Sequence, residues 1–330
     1  MRAASAPGKI ILTGEHAVVH GVPATAMAVK RHIRALLLED DSGVLRWKDP
    51  FSGRQISYTH AQLQQRSELL ALRYDAWQQG HLAIHEILPS PTDLLVYSVA
   101  QALQGTDLPG GDLTWRSDLP VGSGMGSSAA FIAVLLRLFS PEVLSAEALM
   151  HQVHFCERLQ HGKGSYIDAA AVSLGGCVAV QGKNLTSLAS PALAEDWYWI
   201  FTGVPLSSTG ECVDRVRQQF SHSEIWQAFA AIARQWHTAT VTERSELVRE
   251  NHRLLCRLGV VPRAVQALIQ QIERLGGAAK ISGAGSIHGE AAGLVLVWLP
   301  GLNPAALNLP EPMHWGVLEE EVQGAVSFRL

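Results

Sequence analysis

Hydrophobic residues recur along the chain in two spacings, and these predict both strands and helices. Short apolar or alternating runs predict strands at residues 9–13, 26–38, 113–119, 177–181, 197–202, 278–282 and 293–299. Apolar residues three and four positions apart predict helices at residues 63–80, 92–103, 128–139, 144–159, 166–174 and over most of 211–275. Strands open each half of the chain and helices follow, which favours an α+β fold over a doubly wound parallel sheet.

A polar stretch at residues 182–196, which contains Pro191 and few apolar residues, separates the two halves. A chain of 330 residues is long enough for about two domains. We therefore predict an N-terminal domain over residues 1–182 and a C-terminal domain over residues 183–330. Within the first domain, the polar segment 41–62 predicts a hairpin or a surface excursion.

Composition excludes several classes of protein. The chain is 47% apolar and only 17% charged, the reverse of a disordered chain. Its net charge of -4 leaves no basic field to hold a nucleic acid. No apolar stretch approaches the ~18 residues that cross a bilayer, and the N-terminal residues show no signal-peptide pattern. Four widely spaced cysteines are predicted to be reduced core thiols of a cytoplasmic protein: Cys156, Cys177, Cys212 and Cys256.

The segment PVGSGMGSSAA, residues 120–130, contains three glycines at alternate positions directly before an apolar helix. Glycines allow backbone conformations that other residues avoid, and successive amides in such a loop can form a concave site for anions. The first-turn amides of the following helix lack intrahelical partners and carry the positive end of the helix dipole. The hydroxyls of Ser127 and Ser128 suit a phosphate or a bound magnesium ion. An ordinary loop with a serine helix cap fits the same residues.

A second segment near the N-terminus, APGKIILTGEHAVVHGVPA at residues 6–24, places polar groups at both ends of an apolar strand. Lys9 opens the strand, where an ammonium group can stabilise negative charge on a reacting hydroxyl or lower the pKa of a neighbour. Glu15 and His16 follow a glycine at its far end, a position from which polar groups can converge on a ligand. A strand that ends in a solvated turn is the alternative.

Together these segments resemble the mevalonate kinases of the GHMP kinase superfamily. Residues 6–24 resemble the first motif of that family, residues 120–130 match the second, phosphate-binding motif, and KISGAGS at residues 280–286 resembles the third. The three occur in the order and spacing of the family, so the resemblance covers nearly the whole chain. It implies a two-domain architecture with an N-terminal α+β domain and a ferredoxin-like α+β C-terminal domain.

The resemblance also implies an ATP site between the two domains. Its expected ATP-binding residues are Gly122, Ser123, Gly124, Met125, Gly126, Ser127, Ser128, Gly283 and Gly285. Glu15, His16 and Thr209 are expected to face the acceptor alcohol, with Thr209 aligned to a substrate-facing threonine of the family. The family further implies magnesium as the cofactor and makes a homodimer an expectation.

Two acidic residues fit the remaining needs of phosphoryl transfer, which are a magnesium ligand and a group that takes the hydroxyl proton. Ser128 and Glu157 can supply one or two oxygens to magnesium, and Asp168 is the candidate general base beside Lys9. Each acid has a structural alternative. Ser165-x-x-Asp168 resembles a helix capping box, and Glu157 next to an arginine is common on a solvated helix face.

Two motifs depart from the family pattern. The run GKGSYID, residues 162–168, keeps a glycine, the serine and the aspartate but lacks the usual proline and second glycine. The third motif has Ser286 and Ile287 where the family has glycines. Their side chains predict that the approach of the backbone to the nucleotide phosphates is more restricted sterically.

The resemblance therefore implies ATP-dependent phosphorylation of (R)-mevalonate to 5-phosphomevalonate, in the mevalonate pathway of isoprenoid precursor synthesis. Asp168 is the expected base, with Lys9 beside it. Two alternatives remain open: a related kinase for another small alcohol, such as phosphomevalonate or a sugar, and a relative that binds nucleotide without catalysis.

Overall fold

The computed structural model describes residues 1–49, 52–162, 164–189, 193 and 195–329. Its strands and helices fall into two units, each with its own sheet. Each unit combines helices with a sheet whose strands pair almost entirely in antiparallel fashion, so the predicted α+β class is confirmed. Among these residues, no helix has the length and apolar character needed to span a bilayer.

The first sheet has eight strands: β1 (Arg2–Thr13), β2 (Ala24–Asp40), β3 (Val44–Lys48), β4 (Gln55–Thr59), β5 (Gly110–Ser117), β6 (Cys177–Gln181), β7 (Asn184–Leu188) and β12 (Val326–Arg329). Their spatial order is β12-β1-β2-β5-β3-β4. Strand β6 pairs with the first four residues of β2, and β7 pairs with β6. The pair β3–β4 confirms the predicted hairpin. The long strand β1 lies between β12 and β2, and it carries Lys9 into the interior of the molecule.

The described residues of this unit form five α-helices: α1 (His60–Gln78), α2 (Asp93–Leu103), α3 (Ser127–Phe139), α4 (Ala146–His161) and α5 (Ile167–Leu174). The central helix is α3, which contacts β1, α2, α4 and α5. It is apolar on nearly every side, as the sequence SSAAFIAVLLRLF requires of a helix surrounded by other elements. Its burial fixes the position of its N-terminus, where the glycine-rich segment ends.

The second unit contains a four-stranded antiparallel sheet of β8 (Trp197–Phe201), β9 (Ala278–Ser282), β10 (Leu294–Trp298) and β11 (His314–Val317). The order β11-β8-β10-β9 is the 4-1-3-2 arrangement of a ferredoxin-like sheet, which confirms the expected C-terminal fold. Four helices lie between β8 and β9: α6 (Thr209–Phe220), α7 (Ile225–Trp236), α8 (Val241–Arg257) and α9 (Arg263–Arg274). Both α8 and α9 pack against β9.

Three short strands had no clear signal in the sequence: β7, β11 and β12. The last of them pairs with β1, so the chain returns to the first sheet after completing the second. The predicted division between residues 182 and 183 stays a prediction, and Pro191 lies outside the described residues. The four cysteines are free, and three of them are buried.

Candidate active site

The glycine-rich segment forms a loop between β5 and α3. Gly122, Gly124 and Gly126 have φ angles of 69°, 82° and 73°, which residues other than glycine rarely adopt. The first backbone hydrogen bond of α3 runs from the amide of Ala130 to the carbonyl of Gly126, at 2.9 Å. The amides of the preceding residues, Ser127 among them, therefore have no partner within the helix and form an anion site at its positive end.

Two residues of this loop turn inward. The hydroxyl of Ser123 accepts a hydrogen bond from the amide of Met125 at 3.2 Å, and both residues are buried. The carbonyl of Met125 accepts a hydrogen bond from the amide of Lys9 at 2.8 Å. These contacts hold the loop against β1, and the predicted binding of nucleotide by Ser123 and Met125 stays a prediction.

Lys9 and Asp168 meet beside this loop. The Lys9 ammonium lies 3.2 Å from Oδ1 of Asp168 and donates a hydrogen bond to the carbonyl of Gly124 at 2.8 Å. The lysine side chain is 3% exposed and that of Asp168 is 29% exposed, so the carboxylate is the member of the pair that reaches the cleft. Gly126 makes room for the lysine, because a Cβ atom there would lie 2.9 Å from Lys9 Cγ.

The capping-box alternative for Asp168 is not what the structure shows. Helix α5 begins at Ile167 with Tyr166 as its N-cap, and no side-chain hydrogen bond caps it. The carboxylate of Asp168 instead pairs with Lys9 from the first turn of the helix. Lys163, in the run whose proline is missing, lies outside the described residues.

Ser128 and Glu157 face each other across α3 and α4. The hydroxyl of Ser128 donates a hydrogen bond to Oε1 of Glu157 at 2.9 Å. Glu157 is buried, so the solvated-face alternative for it is wrong. Burial raises the pKa of Glu157 to about 8, and the charge of the nearby Asp168 adds to the rise. A divalent cation would offset the unfavourable burial of a negative charge on this carboxylate. A hydroxyl together with a carboxylate is a set of oxygen ligands that magnesium accepts.

Glu15 and His16 lie in the turn after β1, at the junction of the two units. The Glu15 carboxylate is buried, forms an ion pair with Lys280 and accepts a hydrogen bond from Nδ2 of Asn251 at 3.2 Å. His16 donates from Nε2 to the carbonyl of Ala284 at 2.9 Å. Burial lowers the pKa of His16 to about 4, so its ring is neutral at physiological pH. That both residues face an acceptor alcohol stays a prediction.

The second unit supplies the opposite wall. Thr209 is the first residue of α6, directly after the N-cap Ser208, which forms a capping box with Glu211, and it lines the cleft. Gly283 and Ala284 of the third motif line the same cleft.

Two residues of the third motif have structural roles away from the cleft. Gly285 packs so tightly that a Cβ atom there would lie 2.1 Å from the carbonyl of Val260. Ser286 is buried, accepts a hydrogen bond from the amide of Ser207 at 3.2 Å and donates to the carbonyl of His288 at 2.6 Å. The serine that replaces a family glycine is thus directed into the protein.

These elements enclose a cleft of about 800 Å³, large enough for a nucleotide or a small ligand. Lys9, Asp168, Ser128 and the loop glycines form one wall. Sequence reasoning assigned no role to His161 and Arg217, which line the cleft, or to Lys280 and Asn251, which lie buried behind it. Only Lys280 had a usable signal, since a lysine within the apolar strand AAKIS needs a buried partner.

Comparisons with known proteins show which family the chain resembles over most of its length. The family of GHMP kinases N terminal domains matches residues 94–176, and that of GHMP kinases C terminal domains matches residues 230–288. Mevalonate kinase of Pyrococcus horikoshii is 30% identical over 310 residues, which cover 86% of this chain and 85% of the relative. Mevalonate kinase of Archaeoglobus fulgidus is 28% identical over 96% of this chain and 99% of its own. The crystal structure of the Methanococcus jannaschii mevalonate kinase superposes with a TM-score of 0.79 at 18% identity, covering 96% of this chain and 98% of that one.

Proposed function

Because the chain belongs to the mevalonate kinase family of GHMP kinases and is therefore a kinase, we propose that it phosphorylates (R)-mevalonate with ATP. The γ-phosphoryl group would pass to the primary hydroxyl at carbon 5, giving 5-phosphomevalonate and ADP. The observation that carries the proposal is the Lys9–Asp168 pair, which lies beside the glycine-rich loop at the start of α3.

The glycine-rich loop would hold the phosphates of ATP. Backbone amides at the start of α3 have no intrahelical partner, and the helix dipole favours negative charge there. Ser127 and the loop glycines line the cleft at this point, as does Gly283 from the opposite wall. A near-neutral chain can therefore bind a highly charged ligand through backbone groups.

Asp168 would accept the proton of the attacking hydroxyl. When the oxygen–phosphorus bond forms, that proton passes to the carboxylate, and ADP leaves with the electrons of the bond that breaks. The Lys9 ammonium, 3.2 Å from Asp168, would hold the negative charge that develops on the hydroxyl oxygen. A chain that only binds nucleotide has no need of such a pair, which argues against the non-catalytic alternative.

Magnesium would be held by Ser128 and Glu157, whose oxygens are 2.9 Å apart, together with the phosphates. A magnesium ion held there would supply positive charge to offset that of the phosphates. His16 and Thr209 would contact the acceptor, since both line the cleft and the His16 ring is bound to Ala284 of the second unit. Glu15 lines the same cleft.

A direct test measures ADP release by the purified protein with magnesium-ATP and a panel of alcohols: (R)-mevalonate, phosphomevalonate and a hexose. Turnover that depends on mevalonate supports the proposal. Turnover only with another alcohol would assign the chain to that acceptor instead. ATP binding without ADP release in the presence of any alcohol would favour a non-catalytic relative.

A further inference from the structure

Lys280 is a fully enclosed charged residue behind the cleft. It lies in the middle of β9, and its side chain is 0% exposed. Its ammonium has three donors and three acceptors: the carbonyls of Ile11 and Ile281, each at 3.1 Å, and the carboxylate of Glu15. Every donor is therefore used inside the protein, and the ammonium itself does not reach the cleft.

These contacts join the two units. Ile11 and Glu15 belong to β1 and the turn after it, whereas Lys280 belongs to the second sheet. The amide of Ile11 also donates to the hydroxyl of Ser282, two residues beyond Lys280, at 2.7 Å. Asn251, on α8, donates its side-chain amide to the second carboxylate oxygen of Glu15 at 3.2 Å. The carboxylate is thus held from two elements of the second unit.

His16, the next residue, has a backbone that requires such support. Its φ angle is 57°, in a region that residues with side chains rarely adopt. Its Nε2 donates to the carbonyl of Ala284, which leaves Nδ1 as an acceptor. That Nδ1 atom is buried and has no hydrogen-bond partner within the protein, while the residue lines the cleft.

Strained conformations persist when the surrounding structure holds them from more than one side. Here Ala284 holds the ring of His16, and Lys280 with Asn251 holds the residue before it. A buried charge whose partner is removed is strongly unfavourable, so loss of Lys280 would force the Glu15 carboxylate to move. Because Glu15 and His16 are adjacent, that movement would alter the ring that carries the unpartnered nitrogen.

We propose that Lys280 and Asn251 are positioning residues for the acceptor site: they fix Glu15, and through it present His16 Nδ1 to a hydroxyl group of the acceptor. The identity of the acceptor rests on the proposed function, but the positioning does not. In this arrangement, Glu15 contributes to acceptor binding through its contacts with the protein. Of these two residues, His16 is the one that touches the substrate.

The test uses a double-mutant cycle of Lys280→Met and Glu15→Gln in the full chain, with Lys183→Met, an exposed lysine in a turn, as the matched control. Steady-state kinetics give separate KM values for ATP and for the alcohol that the wild type phosphorylates best. We expect each single variant to raise the KM for the alcohol at least about tenfold, with the KM for ATP within about threefold. The double variant should be no worse than either single variant, because Lys280 acts through Glu15.

A spectroscopic measurement tests the positioning without any substrate. Nitrogen-15 NMR of histidine-labelled protein, with the His16 signal assigned by its loss in His16→Gln, should show one neutral tautomer protonated on Nε2 in the wild type. In Lys280→Met that signal should move or split, and in Lys183→Met it should not. If Lys280→Met does not fold, Asn251→Ala replaces it, since that change leaves the ion pair intact and removes the second contact to Glu15.

The proposal is overturned if the effects of Lys280→Met and Glu15→Gln multiply, if the two KM values change together, or if the His16 signal is the same in the wild type and the variant. If none of the alcohols makes the wild type release ADP, the proposed function fails. The NMR result alone then decides whether Lys280 positions His16.

Discussion

The ammonium of Lys9 lies 3.2 Å from Oδ1 of Asp168, although the two residues are separated by most of the first unit in sequence. The lysine lies on the buried strand β1, and the aspartate lies in the first turn of α5. The same ammonium donates a hydrogen bond to the carbonyl of Gly124, so the glycine-rich loop and the candidate base both contact one cation.

Asp168→Asn should reduce turnover at least about a hundredfold, because the amide cannot accept the proton of the alcohol. ATP affinity should change by less than about threefold, since the loop amides remain in place. A coupled ADP-release assay and calorimetric titration with magnesium-ATP measure the two effects. Asp107→Asn, at an exposed loop position, is the matched control. Near-normal turnover in Asp168→Asn would remove this residue from the proposed role of base.

Gly126→Ala should lower kcat about tenfold or more, because the new methyl group would lie 2.9 Å from Lys9 Cγ and displace the ammonium. The φ angle of 73° adds strain, which should reduce the free energy of unfolding by about 1–2 kcal/mol. Gly105→Ala is a close control, since its φ is 82° but no atom lies within 4 Å. Equal losses of kcat in both variants would assign the effect to backbone strain alone.

Glu157→Gln should separate stability from activity. The amide oxygen can still accept the hydrogen bond of Ser128, and a neutral group is easier to bury than a carboxylate. We expect a free energy of unfolding equal to or above that of the wild type, together with at least a tenfold higher magnesium requirement for turnover. Urea unfolding and magnesium titrations of activity measure these. An unchanged magnesium requirement would contradict the proposed metal contact.

Ser286→Gly restores a glycine to the third motif and should destabilise the protein by about 1–2 kcal/mol, because it leaves buried partners without the hydroxyl. The KM for ATP should change by less than about threefold, since the hydroxyl faces Ser207 and His288 and not the cleft. Kinetics with varied ATP provide the check. A tenfold gain in ATP affinity would show that the serine restricts the nucleotide, as the motif comparison predicted.

Acid should destabilise the protein through its buried histidines. Burial lowers the pKa of His252 to about 4, below its ordinary value of 6.5, and the charges of Arg253 and Lys280 act in the same direction. The unfolded chain therefore binds more protons between pH 6.5 and 4, so stability falls as the pH drops through that range, by up to about 3 kcal/mol for this group. Urea unfolding at pH 7.5 and 5 should show a smaller difference in His252→Gln than in the wild type. His222→Gln, at an exposed position, should retain the full difference.

Much of the fold followed from the spacing of apolar residues, because α3 and the strands of both sheets bury long regular runs. The short strands could not be predicted from the sequence, for a physical reason. A four-residue strand such as β12 has too few side chains for a period to emerge, and it exists because β1 offers an edge.

The site was predictable in its residue types but not in their directions. The motifs identified Lys9, Glu157 and Asp168, whose contacts the structure describes. They did not reveal that Met125 turns into the core or that Glu15 pairs with Lys280. Such directions depend on which neighbours are buried together, and the partner of Glu15 lies more than 200 residues away along the chain.

The pairing of β12 with β1 also bears on synthesis. During translation, the strand that carries Lys9 is made before the second unit, yet one of its neighbours, β12, appears only after the second unit has been translated. A nascent chain that lacks residues 326–329 has an unpaired edge on β1, exposed to wrong partners. The first sheet therefore reaches its full pairing only after the second unit has been translated.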